Sequence, residues 1–370
     1  MDKYTSKTSF QEWLSPIKLT NLSAEAQLMI QQFNYYSKKL NFQTVLNILL
    51  HAVYEGYPSY REVCRAFLDQ RLCQEIGVDS IDPSNLSRRM IEIDSTVLLE
   101  LFQQLVAEIQ KKNSTTKRNS LQLIDSTTIP LNKNLYTWAK FRSTKSGLKL
   151  HLNLCYLDDT TQYPEDFTIT NATVHDRTQF ELLINKTEAT YVVDRGYFDY
   201  KLLNKLHHDG YFFVTRIKKN TRVTVLDHIE ISDYQTHDGQ LVSDQHVTLG
   251  EGKTSRFRLV TLVTKGKRVL RLLTNRFDVS PQEIADMYQA RWQIELFFKH
   301  LKQNLTIKKI YSRNEQGAIN QVILTLIATL LTYLIKLRTG TTSSLFQLKR
   351  AFHYLRFEPA EIWLEKFTPI

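Results

Sequence analysis

The sequence has few of the residues that would place it among disulfide-stapled, zinc-binding or fibrous proteins. Its three cysteines, Cys64, Cys73 and Cys155, are odd in number and widely spaced, with no C-x-x-C pair. This spacing argues against a disulfide framework and against a structural zinc site. Only 11 glycines and 8 prolines occur in 370 residues, which excludes collagen-like and linker-rich proteins.

Long apolar runs are also missing. The most apolar stretch, residues 322–335, is about 14 residues long and contains three threonines, whereas a bilayer span needs ~20 apolar residues. We interpret it as a buried helix. The first fifteen residues include Asp2, Lys3, Lys7 and Glu12, so no secretory signal is predicted there. We therefore expect a cytoplasmic protein with no membrane partner.

The sequence has an excess of basic residues and enough hydrophobic residues to form a buried core. Lysine and arginine number 48 against 38 acidic residues, which gives a formal charge of +10 and a pI near 9.3. Hydrophobic residues make up 42% of the chain, which excludes intrinsic disorder. The length suggests two or three domains. The basic excess favours a polyanionic partner, most often nucleic acid, although surplus lysine can also serve solubility alone.

Roughly the first 112 residues show helical periodicity and form a predicted helical domain. A Ser-x-x-Glu capping box at Ser59 opens a helix that runs to Gly77, and Asp82-Pro83 opens a second, short helix. The second helix carries small polar residues together with Arg88 and Arg89, as a helix that contacts bases and phosphates would. A solvated polar helix in a bundle is the competing interpretation.

Beyond a basic linker that ends near residue 118, strands alternate with helices. Strands are predicted at 121–131, 148–157, 166–171, 191–194 and 211–215, with helices at 179–186 and 200–208. The order is βββαβαβ. Residues 219–275 add the alternating pattern of an antiparallel insertion, and a long helix follows from Pro281 to about Leu305.

Three carboxylates occupy unusual positions in this order. Asp125 lies on the first strand, where an apolar residue would cost less, Asp194 ends a short buried strand, and Glu295 lies in the middle of the long helix. Taken alone, Asp194 is explained more simply as a turn former or ion-pair partner. Two carboxylates at one end of a sheet repel each other unless a divalent cation lies between them, and Mg²⁺ prefers such ligands.

One face of the long helix borders its predicted apolar side. At about 100° per residue, the side chains of Tyr288, Arg291, Glu295 and Lys302 fall within a stripe of roughly 60°. Tyr288 and Lys302 are ~20 Å apart along the axis. The stripe can therefore follow several phosphates while Glu295 faces the sheet.

The spacing Y-x2-R-x3-E-x6-K formed by these four residues, combined with the βββαβαβ order, resembles the signature of DDE transposases of the insertion-sequence-four family. Residues 136–152, 194–197 and 274–276 are also similar to this family, and the resemblance covers about 119–340. It implies an α/β protein with an RNase H-like core interrupted by a β-rich insertion, and an all-α N-terminal DNA-binding domain.

The predicted organisation has five parts. They are the helical DNA-binding domain with its basic linker (1–118), the first part of the catalytic core (119–218), the β-rich insertion (219–275), the second part of the core with the signature helix (276–340) and a C-terminal helical segment (341–370).

The resemblance implies a cut-and-paste transposase of a bacterial insertion sequence, active on the nucleoid as a homodimer. Such an enzyme binds terminal inverted repeats, cleaves phosphodiester bonds, passes through a hairpin intermediate and joins 3′-OH ends to target DNA. In-line displacement at phosphorus suits two cations about 3.5–4 Å apart. We therefore expect two Mg²⁺ ions, replaceable by Mn²⁺, with Asp125 bridging both and Asp194 and Glu295 each holding one.

Two other interpretations stay open. An RNase H-like nuclease would cut DNA without joining it, and a transposase-derived regulator would bind DNA without cutting it. The presence of all three carboxylates argues against the regulator.

The remaining candidate residues are expected to contact DNA. Tyr288, Arg291 and Lys302 would hold phosphates near the cleaved end. Residues 132–149 combine cations with aromatic rings and contain no acid, which suits backbone charge plus base stacking, although a solvated hairpin tip is the alternative. The cations predicted to contact DNA there are Lys140, Arg142, Lys145 and Lys149.

Two further features have competing interpretations. Trp292 would stack on an unpaired base at the transposon end or pack under the insertion. The adjacent pair His175-Asp176 is interpreted as structural rather than as a metal site or a catalytic dyad.

Overall fold

A computed structural model describes residues 7–113, 120–142, 145–230, 235–236, 239–250, 255–305 and 307–368. It has one mixed β-sheet with helices packed around it, as the predicted α/β class requires. The helices are α1 (Ser9–Leu14), α2 (Ala24–Asn34), α3 (Phe42–Glu55), α4 (Tyr60–Arg65), α5 (Gln70–Ile76), α6 (Pro83–Glu92), α7 (Ser95–Lys112), α8 (Asp176–Phe180), α9 (Tyr200–His208), α10 (Pro281–Ala290), α11 (Trp292–Asn304), α12 (Glu315–Thr339), α13 (Leu345–Leu355) and α14 (Ala360–Glu365). The strands are β1 (Leu121–Leu131), β2 (Lys140–Arg142), β3 (Lys145–Asp158), β4 (Thr161–Asn171), β5 (Thr190–Val193), β6 (Phe212–Arg216), β7 (Val223–His228), β8 (Gln235–Thr236), β9 (Gly239–Leu249), β10 (Phe257–Thr264) and β11 (Val269–Thr274).

The sheet combines an antiparallel half with a parallel centre. Strands β4, β3 and β1 are antiparallel neighbours, whereas β1, β5 and β6 run parallel. The short strands β2 and β8 pair with β3 and β9. The parallel pairing of these strands ends at Ile124, Val193 and Thr215, whereas β1 continues to Leu131. Ligand sites of α/β proteins form where parallel strands end.

The predicted insertion extends this same sheet. Strand β11 pairs antiparallel with β6, and β10, β9 and β7 follow it outward. The buried pair of Arg258 on β10 and Asp244 on β9, with their charged atoms 2.6 Å apart, lies inside this extension. The Arg258 guanidinium also donates to the Val279 carbonyl at 2.5 Å, which fixes the segment leading into α10.

Helix α12 lies at the centre of the helices that pack beside the sheet. It packs against α3, α6 and α7 on one side and against α13 and β4 on others. By length and composition it could cross a membrane, but 94% of its most apolar window is buried inside the protein. This confirms the buried helix predicted at 322–335.

Because helices from both ends of the chain share α12, the predicted boundaries at 118 and 340 do not separate independent cores among the described residues. The indole N–H of Trp13 donates to Thr332 at 3.2 Å, and the side-chain amide of Asn320 donates to the carbonyls of Met90 and Ile93. The N-terminal helices therefore depend on α12, a helix that lies within the predicted second part of the core.

Two helices differ from the prediction in the N-terminal part and in the core. The helix expected from Ser59 to Gly77 is divided at Asp69, whose extended backbone and side chain start α5 by accepting the Arg71 N–H at 3.0 Å. The helix expected over 179–186 instead begins at Asp176 and ends at Phe180. The Tyr191 hydroxyl accepts the N–H groups of residues 185 and 186 at 3.1 and 2.8 Å, which takes them out of the helix.

The long helix is also divided. Its start agrees with the prediction, because Ser280 and Glu283 form a reciprocal capping box and Pro281 occupies the first turn. At Arg291, however, α10 ends and α11 begins. The Arg291 N–H bonds to Tyr288 three residues back, and the Ile294 N–H bonds to the Arg291 carbonyl, so the turn tightens to 3₁₀ spacing.

Candidate active site

Asp125 and Asp194 lie side by side where the parallel pairing of β1 with β5 ends, Asp125 within β1 and Asp194 just after β5. Ile124 of β1 pairs with Val193 of β5, and each is followed directly by one of the two aspartates. The Asp125 side chain is 23% exposed. Asp194 caps a short 3₁₀ turn, because its carboxylate accepts the Gly196 N–H at 2.6 Å. Sequence and register together thus bring two carboxylates to one point.

Helix α11 adds the third carboxylate and an arginine. One guanidinium nitrogen of Arg291 lies 2.7 Å from the Glu295 carboxylate, and another lies 3.9 Å from the Asp125 carboxylate. The Arg291 side chain is only 16% exposed. The arginine therefore links the helical carboxylate to the one on the strand.

Burial and the neighbouring carboxylates disfavour the ionised form of Asp125. Burial raises the pKa of Asp125 to about 6, and the neighbouring charges of Asp194 and Glu295 act in the same direction. The Ser126 N–H, which donates to the Asp125 carboxylate at 2.8 Å, and the Arg291 guanidinium oppose this rise. A cation bound between the carboxylates would remove the repulsion.

These carboxylates suit a hard divalent cation by donor type. All three offer oxygen ligands, the kind that Mg²⁺ and Mn²⁺ prefer. The part of the chain that the structure describes contains no group of three ligands already gathered at metal-binding distance. Arg291 instead pairs with one carboxylate oxygen of Glu295, so a cation bound at that oxygen would compete with Arg291.

A cleft of about 350 Å³ opens beside Asp125 and Glu295. Lys299, Lys302 and Lys308 line it. Burial lowers the pKa of Lys302, and the nearby charge of Lys308 lowers it further. The predicted stripe residue Lys302 thus lies in the same cleft as the carboxylates, with two lysines that the sequence pattern did not single out.

A second cavity, of about 410 Å³, lies on the other side of Glu295 along the helix. Leu262, Leu270 and Leu272 of the insertion strands form part of its wall, and Tyr288 and Trp292 face them. Trp292 is 55% exposed, so it lies at the opening rather than packed under the insertion. This cavity depends on how the insertion docks, which the helical period alone does not give.

Next to Asp125, the side chain of Ser126 belongs to a network of polar side chains centred on Asp176. The Ser126 hydroxyl donates to one carboxylate oxygen of Asp176 at 2.6 Å, and Lys149 Nζ and His151 Nδ1 lie 3.2 and 3.4 Å from the same oxygen. His151 is buried, which lowers its pKa to about 4 although the Asp176 charge opposes this. The described contacts of Asp176 are thus with Ser126, Lys149 and His151, and the histidine beside it in space is His151 rather than the exposed His175.

Several predicted DNA contacts are used inside the protein. Lys149 is 14% exposed, and its ammonium is engaged by Asp176 and by the Val174 carbonyl at 3.0 Å. In the same segment, Tyr136 donates its hydroxyl proton to the Ile310 carbonyl and Trp138 donates its indole N–H to the Arg313 carbonyl at 2.7 Å. These three side chains hold the β2–β3 hairpin against the core, so we remove Lys149 from the DNA surface.

Of the other basic residues predicted to contact DNA, the structure describes the side chains of Arg88 and Arg89. The side chains of Lys140, Arg142 and Lys145 lie outside the described residues, although their backbone pairing in the β2–β3 hairpin is described. Arg88 is 68% exposed on α6. Arg89 is 15% exposed and donates to the carbonyls of residues 33 and 40. We therefore keep Arg88 as a candidate contact and remove Arg89.

Comparison with known proteins gives one family. The family described as "Transposase DDE domain" matches residues 116–331, more than half of the chain. A probable transposase for insertion sequence element IS5377 of Geobacillus stearothermophilus is 26% identical over 314 residues, covering 83% of this chain and 80% of that protein. The putative transposase y4zB of Sinorhizobium fredii is 31% identical over 236 residues, covering 63% of this chain and 65% of that protein.

A solved structure shares the fold. The piggyBac transposase in a synaptic complex with hairpin DNA superposes with a TM-score of 0.50, covering 97% of this chain and 80% of that one at 9% sequence identity. At this identity the likeness concerns architecture alone.

Proposed function

Because this chain belongs to the family of transposases with a DDE domain, we propose that it cuts DNA at the ends of an insertion sequence and joins the free 3′-OH ends to target DNA. The adjacency of Asp125 and Asp194 on paired strands, with Glu295 reached through Arg291, is the observation that carries the proposal. We assign the three residues as the DDE carboxylates.

The finer family assignment follows from the helix. Tyr288, Arg291, Glu295 and Lys302 all border the cavity or the cleft on either side of the catalytic carboxylates. This supports the insertion-sequence-four signature. The strand order β4, β3, β1, β5, β6, with the first three antiparallel and the last three parallel, supports an RNase H-like core.

Asp125, Asp194 and Glu295 would hold the divalent cations, Mg²⁺ by preference and Mn²⁺ as a substitute. When bound, the cations would activate the attacking oxygen and stabilise the leaving oxygen of an in-line displacement. Ser126 and Asp176 fix the orientation of the Asp125 carboxylate. Arg291, once displaced from Glu295, is free to hold a phosphate oxygen with its two-pronged guanidinium.

A cut-and-paste route through a hairpin is supported by the cavity beside Trp292. Apolar walls with an indole at the opening suit a flat aromatic base taken out of the stack. Tyr288 and Arg291, which line the same cavity, would contact the adjoining phosphates. Sharp bending of a DNA end into a hairpin requires a base to leave the duplex near the strand that is cut.

The wider assignments follow from the same proposal. Ser84, Asn85 and Arg88 form an exposed face of α6, which suits contact with the terminal inverted repeats. The chain would act as a homodimer that joins two ends of its element, on the nucleoid in the cytoplasm. A nuclease without joining activity and a DNA-binding regulator are the competing functions.

The test uses the full chain with a duplex that carries the terminal repeat of its element, a supercoiled target plasmid and Mg²⁺. We expect nicks at the repeat boundary followed by covalent joining to the plasmid, mapped on denaturing gels. Calcium should allow binding without cleavage, because its looser geometry aligns phosphates poorly. Cleavage without joining would favour the nuclease, and binding without cleavage would favour the regulator.

Each carboxylate has its own variant. Asp125→Asn, Asp194→Asn and Glu295→Gln should abolish cleavage while leaving binding to the terminal repeat nearly intact, because each removes a cation ligand and few phosphate contacts. Near-normal cleavage by one variant would remove that residue from the site.

A further inference from the structure

We infer that the loop formed by residues 35–39, between α2 and α3, binds the sugar-phosphate backbone of the terminal-repeat duplex next to α6. The loop carries Tyr35, Tyr36, Lys38 and Lys39. The inference rests on the proposed function and deepens it, because it adds a surface that fixes the position of α6 on the DNA. Contacts to phosphates position a protein on a duplex, whereas contacts to base edges select the sequence.

The first support is the exposure of two adjacent aromatic side chains. Tyr35 is 77% exposed and Tyr36 is 90% exposed, and their rings meet edge to face with centroids 4.5 Å apart. Among the described residues, neither hydroxyl has a hydrogen-bond partner. Tyrosines are enriched at binding interfaces, because each ring offers apolar area together with a polar hydroxyl group.

The second support is the charge beside these rings. Lys38 and Lys39 are both exposed, and in the part of the chain that the structure describes no carboxylate lies within 4 Å of either ammonium group. Glu92 of α6 pairs with Arg88 at 3.8 Å and with Arg89 at 2.5 Å, so its charge is offset. Cations without acidic partners suit a polyanion, and neighbouring tyrosines can donate to its phosphates.

The third support is that Arg89 joins the 35–39 loop to α6. Its guanidinium donates to the carbonyls of Phe33 at 2.6 Å and Leu40 at 3.0 Å, the residues that flank the loop. Asn85 precedes Arg89 by four residues, so it lies on nearly the same face of α6. A duplex bound against this face of α6 would therefore lie next to the loop.

The ends of the 35–39 loop are also fixed by hydrogen bonds. The Asn34 carbonyl accepts the Ser37 N–H at 2.9 Å, and the Asn34 side chain accepts the Phe42 N–H at 2.7 Å. Asn41 starts α3 by accepting the Thr44 N–H at 2.9 Å. A loop held in this way loses less conformational freedom when it binds a partner.

Charge decides between DNA and a second copy of this chain as the partner of the loop. A two-fold contact would set the loop against itself, so that lysines of both copies would face each other. Like charges opposed across an interface are unfavourable. The phosphates of a duplex offer the opposite charge.

The test measures binding of the full chain to a terminal-repeat duplex and to a scrambled duplex, in Ca²⁺ and at several salt concentrations. The double variant Lys38→Ala, Lys39→Ala should bind both duplexes about tenfold more weakly, with a salt slope smaller by about two, because two phosphate contacts are lost. The double variant Tyr35→Ser, Tyr36→Ser should bind both severalfold more weakly with an unchanged slope, because no charge is removed. The preference for the repeat should be kept in both variants.

The matched control is the double variant Arg350→Ala, Lys366→Ala, which removes two exposed cations from α13 and from the segment after α14. It should bind both duplexes as the parent does. Melting temperatures of the loop variants should equal that of the parent, because the four side chains are exposed. At saturating protein the loop variants should cleave at the rate of the parent, because the carboxylate site is unchanged.

Parent-like affinity and salt slope in the lysine variant would overturn the inference. A DNA-free dimer that becomes a monomer in either loop variant, measured by sedimentation, would assign the loop to a contact between copies and would also overturn it. A parent protein that binds both duplexes equally would instead contradict the proposed recognition of terminal repeats. In that case the salt slope of the lysine variant would still decide whether the loop contacts phosphates.

Discussion

Arg291 and Glu295 form an ion pair of 2.7 Å one helical turn apart. The same guanidinium reaches towards Asp125 at 3.9 Å, so a fixed positive charge lies where cation ligands converge. The pair keeps the carboxylates compatible with one another when no cation is bound. It also means that a cation and Arg291 compete for Glu295.

Replacement of Arg291 should therefore strengthen cation binding while it lowers the rate of DNA cleavage. In Arg291→Ala we expect a lower half-saturating Mg²⁺ concentration for the protein alone, because a competing charge is gone, together with a large loss of DNA cleavage. Thermal stabilisation by added MgCl₂ without DNA measures the first effect. Arg350→Ala, at an exposed position on α13, is the control. Weaker Mg²⁺ binding in Arg291→Ala would contradict this account.

Asp125 should reduce the stability of the cation-free protein at neutral pH. Its pKa is raised to about 6 by burial first and by neighbouring carboxylates second. A raised carboxyl pKa means that stability is lost as pH rises from about 4 to 6, since the folded protein then holds a proton that the unfolded chain releases. In EDTA at pH 7.5, the free energy of unfolding of Asp125→Asn should exceed that of the parent by about 3 kcal/mol.

The difference in the free energy of unfolding between Asp125→Asn and the parent should vanish below about pH 4. Below this pH the Asp125 carboxyl is protonated in both the folded and the unfolded protein. Urea denaturation at a series of pH values measures the difference. A constant difference across the series would show that cavity or packing effects, and not ionisation, cause it.

Ser126 should matter for catalysis without touching the substrate. Its hydroxyl bonds to Asp176 while its N–H bonds to the Asp125 carboxylate. Loss of such a supporting bond typically costs tenfold or more in metal affinity or activity. In Ser126→Ala we expect about a tenfold slower cleavage step and a higher Mg²⁺ requirement, with unchanged affinity for DNA. Ser126→Thr keeps a hydroxyl and should restore most of the activity, whereas equal defects in both variants would point to packing instead.

Two consecutive arginines on α6 should behave differently. Arg89 donates to the Phe33 and Leu40 carbonyls and lies 3.3 Å over the Phe33 ring, so Arg89→Ala should lower the free energy of unfolding by about 2–3 kcal/mol. Arg88→Ala should leave stability within about 0.5 kcal/mol. Its effect should instead be weaker DNA binding, with a salt slope smaller by about one. Urea denaturation and binding at several salt concentrations compare the two.

The placement of the three carboxylates that we propose as catalytic could be predicted because each depends on short-range rules. A buried strand that ends in Asp194, and a strand that carries Asp125, meet once the strands are parallel neighbours, and the helical period gives the stripe with Glu295. The contact of Asp176 with Ser126 joins residues 50 positions apart, so no local sequence pattern predicts it. Arg89 and Lys149 looked like surface cations because residue type alone does not report which carbonyls lie within reach.

The break at Arg291 escaped prediction for another reason. No proline or glycine is present there, and the turn tightens where the Arg291 side chain meets two carboxylates. The cavity beside Trp292 was likewise out of reach, since half of its wall comes from strands whose docking is set by pairing with β6.

That pairing has a mechanical consequence. Thr215 of β6 lies beside Val193 of β5 on one side and Leu273 of β11 on the other, and its hydroxyl donates to the Asp194 carbonyl at 3.2 Å. The insertion strands are thus linked through consecutive hydrogen-bonded strands to Asp194, which we propose as the second metal ligand. Without the insertion, β6 would become a bare edge, open to pairing with other chains and to aggregation. The insertion therefore covers the β6 edge and ties the segment that carries Asp194 to the outer strands.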